Sequence, residues 1–314
     1  MPDFFIVGHF KSGTSSLYEM LKAHPQVFMP EEKEPRYLAD DMRASYRYKR
    51  GPDYPETLEQ YVSLFAPAAP NQLVGEASAG YLWSQTAASN IAALSPDARI
   101  IAILREPTAF MRSFHIQLLQ SHIESKTDLS KALALENARR EGKRIPFRSH
   151  LPQLLQYSEQ VRYVEQLRRY HARFPREHVL VLIYDDFRQD NEGVVRGVLR
   201  FLDVDDAQRI EGAEVKVTRR YVRSQLFDDA TYWLPRGEGS TAARVAKATI
   251  KSVTSRRQRR AAVKMLRRRV VLREPPPVDE ALMDELRARF KPEVVALSDY
   301  LGRDLVALWG YDRV

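Results

Sequence analysis

The sequence predicts an α/β fold of three layers, a central parallel sheet flanked by helices on both faces, with a helical C-terminal part. Three observations lead there. The apolar runs at Phe4 to Val7, Leu73 to Gly75, Arg99 to Leu104 and His178 to Tyr184 are continuous rather than alternating, as strands buried on both faces are. Segments of helical periodicity separate these runs, which is what parallel strands need for their crossovers. The first run passes through a short glycine-bracketed loop straight into a helix.

In chain order, the run Phe4 to Val7 ends at Gly8, and residues Gly8 to Gly13 form a loop. The helix from Thr14 to Ala23 places Leu17, Met20 and Leu21 on one face and is stopped by His24-Pro25. Further helical segments are expected at Leu58 to Phe65, Thr86 to Leu94, Thr108 to His122, Asp128 to Glu141, Pro152 to Phe174 and Glu192 to Leu202. The C-terminal third reads as mostly helical, with breaks at Pro275-Pro276-Pro277 and Gly302. No repeat or low-complexity tract interrupts the chain. The expectation is therefore one domain over residues 1–314, with 235–265 as a mobile basic helical insertion.

Composition narrows the function. The 314 residues contain no cysteine, which excludes disulfides, thiolate metal sites and cysteine nucleophiles and suits a reducing cytoplasm. Phe4-Phe5-Ile6-Val7 is too short for a signal-peptide core, and no apolar stretch approaches the roughly 20 residues of a membrane helix. A cytoplasmic location is expected. Arginine outnumbers lysine, a compositional hint of a GC-rich bacterial source. The net charge of +8 favours an anionic ligand, a nucleic acid or a membrane surface. Much of the excess lies between Arg244 and Arg273, which reads either as the solvated face of a long helix or as a face touching phosphates or a membrane. Aromatic residues for base stacking are not interleaved there, so a nucleic-acid partner is not expected.

The loop Gly8-His9-Phe10-Lys11-Ser12-Gly13-Thr14-Ser15 follows a strand and opens a helix, where free N–H groups and the helix dipole make an anion site. Compared with G-x-x-x-x-G-K-[ST], the glycines and Ser15 fit, giving a P-loop-like unit, but Thr14 stands where the lysine belongs. Lys11, inside the loop, would instead reach the atom bridging a 5′-phosphate to its transferred group. The stretch Phe5 to Leu17 resembles the 5′-phosphosulfate loop of sulfotransferases that use 3′-phosphoadenosine 5′-phosphosulfate (PAPS). That resemblance implies that Lys11 stabilises the leaving phosphate oxygen and that Ser12, Gly13, Thr14, Ser15 and Ser16 hold the 5′-phosphate.

Arg105 sits at the carboxyl end of the run Arg99 to Leu104, the sheet edge where open α/β folds place ligands, and Ser113 follows eight residues later. An arginine with a hydroxyl can hold a phosphate by charge-assisted hydrogen bonds. Leu104 to Phe114 is similar to the family's 3′-phosphate motif, which assigns Arg105 and Ser113 to that group. Arg219 and Arg220, in Val217 to Ser224, stand where relatives carry a basic loop over the cofactor. The close of the chain, Leu301 to Trp309, resembles the C-terminal ending of bacterial members.

Gly75-Glu76-Ala77-Ser78-Ala79-Gly80-Tyr81 resembles a Glu-x-Ser/Thr-x-x-Tyr motif of the glycan-type, heparan-sulfotransferase-like branch and makes Glu76 the expected catalytic base. The other reading of Glu76 is a carboxylate complementing a helix dipole. His115 is the rival base, since the steroid and phenol branch uses a histidine. Pro30 to Tyr37 looks like the branch's Lys-Glu-x-x-Phe segment, with Lys33 either near the transferring group or part of a charged surface turn. The reaction so implied is in-line transfer of a sulfuryl group from PAPS, leaving 3′-phosphoadenosine 5′-phosphate (PAP), to a hydroxyl or amine of a small-molecule, glycolipid or glycan acceptor, with no metal. The alternatives are a P-loop kinase and a non-catalytic protein binding an anionic ligand or nucleic acid.

Overall fold

The computed structural model describes residues 1–47, 54–147, 149–208, 221–222, 272–273 and 278–314. Five strands form one parallel sheet: β1 (Phe4–Gly8), β2 (Val27–Phe28), β3 (Leu73–Ala77), β4 (Arg99–Leu104) and β5 (Val179–Ile183). Their order is β2-β3-β1-β4-β5, so β1 is central, and Phe4, Phe5, Ile6 and Val7 are fully buried. Successive side chains serve opposite layers. Phe5 and Val7 join one core with Ile100 and Ala102; Phe4 and Ile6 join the other with Ile101 and Ile103. Double-sided burial is why the predicted strands read as unbroken apolar runs.

The helices are α1 (Thr14–Lys22), α2 (Asp40–Arg47), α3 (Leu58–Ser63), α4 (Ala87–Leu94), α5 (Pro107–Gln120), α6 (Leu129–Leu133), α7 (Glu136–Arg140), α8 (Tyr157–Gln160), α9 (Tyr163–His171), α10 (Tyr184–Gln189), α11 (Asn191–Phe201), α12 (Glu280–Leu301) and α13 (Leu305–Leu308). Helices α1 and α11 cover one face of the sheet through Leu17, Leu21, Val198 and Leu199, while α5, α9 and α12 cover the other through Phe114, Leu167 and Val294. The three-layer α/β fold expected from the sequence is the fold observed. Gly302 ends α12 in the left-handed conformation, φ 62°, at the expected break.

Four local expectations change. The edge strand β2 has only two residues and left no periodic signal. The helix α2 occupies a stretch read as loop; Asp40 and Asp41 complement its dipole, and Asp41 also binds Ser84, Gln85 and Thr86. The segment Asp128 to Glu141 splits into α6 and α7, tied down by the buried Arg139–Glu124 ion pair at 2.7 Å. Pro152 to Phe174 splits into a 3₁₀ turn (Pro152–Leu155), α8 and α9, with the buried Glu136 carboxylate accepting from the Ser158 amide and hydroxyl, each at 2.7 Å. Tertiary hydrogen bonds overrode a continuous helical pattern in both cases. Residues 221–222 and 272–273 form a short antiparallel pair, β6 and β7. The 235–265 insertion, and the basic stretch apart from residues 272–273, lie outside the described residues. Among the described residues, no helix is long and apolar enough to cross a membrane.

Candidate active site

The carboxyl ends of β1 and β4 open onto a cavity of about 780 Å³, and the two loops that leave those strands form its floor. After β1 the chain turns sharply: Lys11 has φ 57° and Gly13 has φ 91°. A Cβ on Gly13 would lie 3.1 Å from the Phe187 ring and 3.2 Å from Tyr184, so glycine answers both the backbone angle and the close packing. The Gly13 carbonyl accepts from the amides of Ser16 and Leu17, which leaves the Thr14 and Ser15 amides as first-turn donors without an intrahelical acceptor. Lys11, Gly13, Thr14, Ser15 and Ser16 all line the cavity. Ser12 does not: it is fully buried, and its hydroxyl donates to the Phe10 carbonyl at 3.2 Å, so its side chain braces the loop.

Arg105 leaves β4 and crosses to the phosphate loop, donating from one guanidinium nitrogen to the Lys11 carbonyl at 3.0 Å. Its plane lies over the Tyr184 ring, 4.7 Å from the centroid, and the Tyr163 hydroxyl donates to its own carbonyl at 2.9 Å. Burial, and then the neighbouring Arg105 charge, lower the proton affinity of Lys11. Glu106 caps α5 by accepting from the Thr108 and Ala109 amides at 2.9 and 2.6 Å, and Tyr311 from the chain's end donates to the same carboxylate at 2.5 Å. With its N-terminus so fixed, α5 presents Arg112 and Ser113 to the cavity two turns on. The opposite side is closed by Glu280, Met283 and Arg287 of α12.

The remaining wall is the strap Lys33 to Leu38, which carries Glu34 into the cavity. Glu34 and Arg36 both have positive φ, 59° and 53°, and the strap is pinned to the end of β3 by the Glu34 amide donating to the Ala77 carbonyl at 3.0 Å and the Arg36 amide to the Ser78 hydroxyl at 3.1 Å. Lys33 donates to the Glu34 carboxylate at 3.1 Å, and Arg36 donates to its other oxygen. Burial alone would raise the Glu34 pKa; the Arg36 and Lys33 charges outweigh it and bring it down to about 2.

Of the residues expected from the sequence, Lys11, Gly13, Thr14, Ser15, Ser16, Arg105 and Ser113 meet in this one cavity. Lys33 stands behind Glu34, its ammonium 5.9 Å from the centroid of the Tyr18 ring. Glu76 does not face the cavity. It is fully buried on β3, and one of its oxygens accepts from Tyr61 at 2.9 Å and Tyr81 at 2.8 Å. Burial pushes its carboxyl up to about 7, against the opposing pull of the Ser78, Tyr81 and Tyr61 hydroxyls. A titration near neutrality suits a base, but this carboxylate is enclosed and does not line the cavity. His115 is likewise enclosed: its Nδ1 lies 2.8 Å from the Tyr157 hydroxyl and its Nε2 3.2 Å from the Thr127 carbonyl, and burial lowers its pKa. Arg219 and Arg220 lie outside the described residues. Sequence reasoning passed over Glu34, which lies between Lys33 and Arg36 in the chain.

The N-terminus of α1, Arg105 at the end of β4 and Ser113 two turns into α5 thus share one cavity with the Glu34 carboxylate, a set of groups suited to an anionic ligand. The chain belongs to the sulfotransferase family, whose sequence profile matches residues 2–208. It is 27% identical to human carbohydrate sulfotransferase 15 over 157 residues, 39% of this chain and 28% of that protein. It is 25% identical over 211 residues to the bifunctional heparan sulfate N-deacetylase/N-sulfotransferase 1 of Caenorhabditis briggsae, 65% of this chain and 23% of that one. The chain thus spans about a quarter of the length of these relatives. A sulfotransferase of Alicyclobacillus acidocaldarius superposes with a TM-score of 0.66 at 25% identity, covering 98% of both chains.

Proposed function

We propose that this chain transfers a sulfuryl group from PAPS to a hydroxyl or amine of a small-molecule, glycolipid or glycan acceptor. The observation that carries the reading is the convergence of Lys11, the first-turn amides of α1, Arg105 and Ser113 on one cavity, with a carboxylate facing them. The volume suits a nucleotide-sized ligand. Thr14, Ser15, Ser16 and the α1 amides would hold the 5′-phosphate, and Arg105 with Ser113 the 3′-phosphate. Bound PAPS supplies an activated sulfuryl group, whose bond from sulfur to the 5′-phosphate oxygen breaks as the acceptor oxygen or nitrogen bonds to sulfur. Lys11 offsets the charge left on that phosphate oxygen. The proton of the acceptor passes to Glu34, which takes over the role expected of Glu76 because it faces the cavity. Negative charge brought beside Glu34 by the donor counters Lys33 and Arg36 and raises its proton affinity. Against a kinase stands Thr14, in place of the lysine that would clamp a terminal phosphate beside Mg²⁺. A single domain and a cytoplasmic location complete the proposal.

The test is calorimetric titration with PAP in EDTA. Arg105→Ala and Ser113→Ala should each weaken binding, the arginine by roughly 10- to 100-fold, the size of a lost charge-assisted hydrogen bond. Binding of ATP–Mg²⁺ in place of PAP would transfer the chain to the kinase reading.

A further inference from the structure

Two phenols converge on Glu76, and each also touches the strap that carries Glu34. Tyr81 donates to Glu76 at 2.8 Å while its hydroxyl oxygen accepts the Leu38 amide at 3.1 Å. Tyr61, rising from α3, donates to the same carboxylate oxygen at 2.9 Å and stacks on Tyr37, with centroids 4.9 Å apart and planes 16° from parallel. Arg43 lies over the Tyr37 ring at 4.9 Å from its centroid. Leu38 N–H, Tyr81 O–H and Glu76 therefore form a chain of hydrogen bonds, and each link polarises the next. Tyr61, Tyr81 and Glu76 are all fully buried, so the phenols have no water to turn to if the carboxylate is removed.

We propose that Glu76 is a positioning residue: by acting as the shared acceptor of Tyr61 and Tyr81, it fixes Tyr37 and Leu38 and thereby holds Glu34 at the cavity. The inference rests on the reading of Glu34 as proton acceptor. It requires an acceptor oxygen at position 76 and no transfer of a proton from substrate there. The amide oxygen of glutamine can accept from both phenols; alanine accepts from neither. A base role for Glu76 predicts no such difference, with glutamine as inactive as alanine.

The experiment compares Glu76→Gln, Glu76→Ala and Tyr81→Phe in the full chain, with three readouts. Hydrogen exchange of peptides covering residues 33–40 reports the strap. In Glu76→Ala and Tyr81→Phe the Leu38 amide should exchange at least 10-fold faster, and in Glu76→Gln within about 3-fold of the parent. PAP affinity should stay within about 2-fold in all three, since the donor loops are untouched. Release of PAP from PAPS, with water as the default acceptor, should fall at least 10-fold in Glu76→Ala and stay within about 3-fold in Glu76→Gln. Tyr81→Phe keeps the ring in place should Glu76→Ala fail to fold. Unchanged Leu38 exchange in Tyr81→Phe would overturn the proposal, as would a Glu76→Gln protein with a protected strap and no turnover. Failure of the parent to bind PAP would remove the donor assignment and leave the exchange result to decide the strap by itself.

Discussion

On the donor side of the cavity, Lys11, Thr14, Arg105 and Ser113 belong to two adjacent strand–loop–helix units of one sheet. On the acceptor side, Glu34 rides a strap of irregular backbone pinned to the end of β3. These residues are placed by the hydrogen-bond ladder between β1 and β4, by the left-handed Gly13 before α1 and by the Glu106 cap of α5, so their positions follow from local chain geometry. The strap depends on side chains from two separate stretches, with Tyr61 of α3 and Glu76 and Tyr81 at the end of β3 beneath it. Anion binding can be built from backbone and short side chains. Placing the Glu34 carboxylate takes a tertiary network, because its strap has no regular backbone ladder and is held by hydrogen bonds to the end of β3.

Substitution on each side separates the two contributions. Glu34→Gln keeps the shape and removes the proton acceptor, and should lower PAP release from PAPS by about 10²- to 10⁴-fold with PAP affinity little changed. Parent-like turnover would return the base to another group. Lys11→Ala should cost about 10²- to 10³-fold in the same assay, the effect of losing one electrostatic donor to the developing charge. A loss of PAP affinity with unchanged turnover would instead make Lys11 a binding residue.

The smallest effect is on stability. Glu76 has a folded pKa of about 7 against an ordinary 4.5. Between those values the unfolded chain has lost the proton that the folded chain still holds, so the folded state is progressively disfavoured as pH rises through that window. Glu76→Gln carries no such penalty. Its stability relative to the parent should grow by about 3 kcal/mol from pH 4.5 to pH 7 and then level off, measured by urea unfolding. A flat difference over that range would mean that Glu76 is ionised throughout, and that the strap is anchored by a charge.

Particular elements show what was legible in the chain. The run Arg99 to Leu104 and the spacing from Arg105 to Ser113 located a strand end and the helix two turns beyond it. The loop from Gly8 to Gly13 was readable because a left-handed glycine and a helix start are local matters. Ser12 and Ser16 were not distinguishable in sequence; the turn directs the first into the core and leaves the second at the cavity. The wall from α12 escaped notice, since nothing local to Glu280 or Arg287 records that it packs beside α5.

By itself the sequence determined the α/β class, the sulfotransferase-like loop and several of the residues that line the cavity at the ends of β1 and β4. These follow from periodicity and spacing within single units of chain. Only the tertiary structure showed that Glu34 lines the cavity and Glu76 does not. Glu34 and Glu76 both follow basic or strand-end signals, yet one meets Lys33 and Arg36 at a cavity wall and the other meets two buried phenols. The state and role of a carboxylate are set by the dielectric and charges around it, and those come from residues distant in the chain.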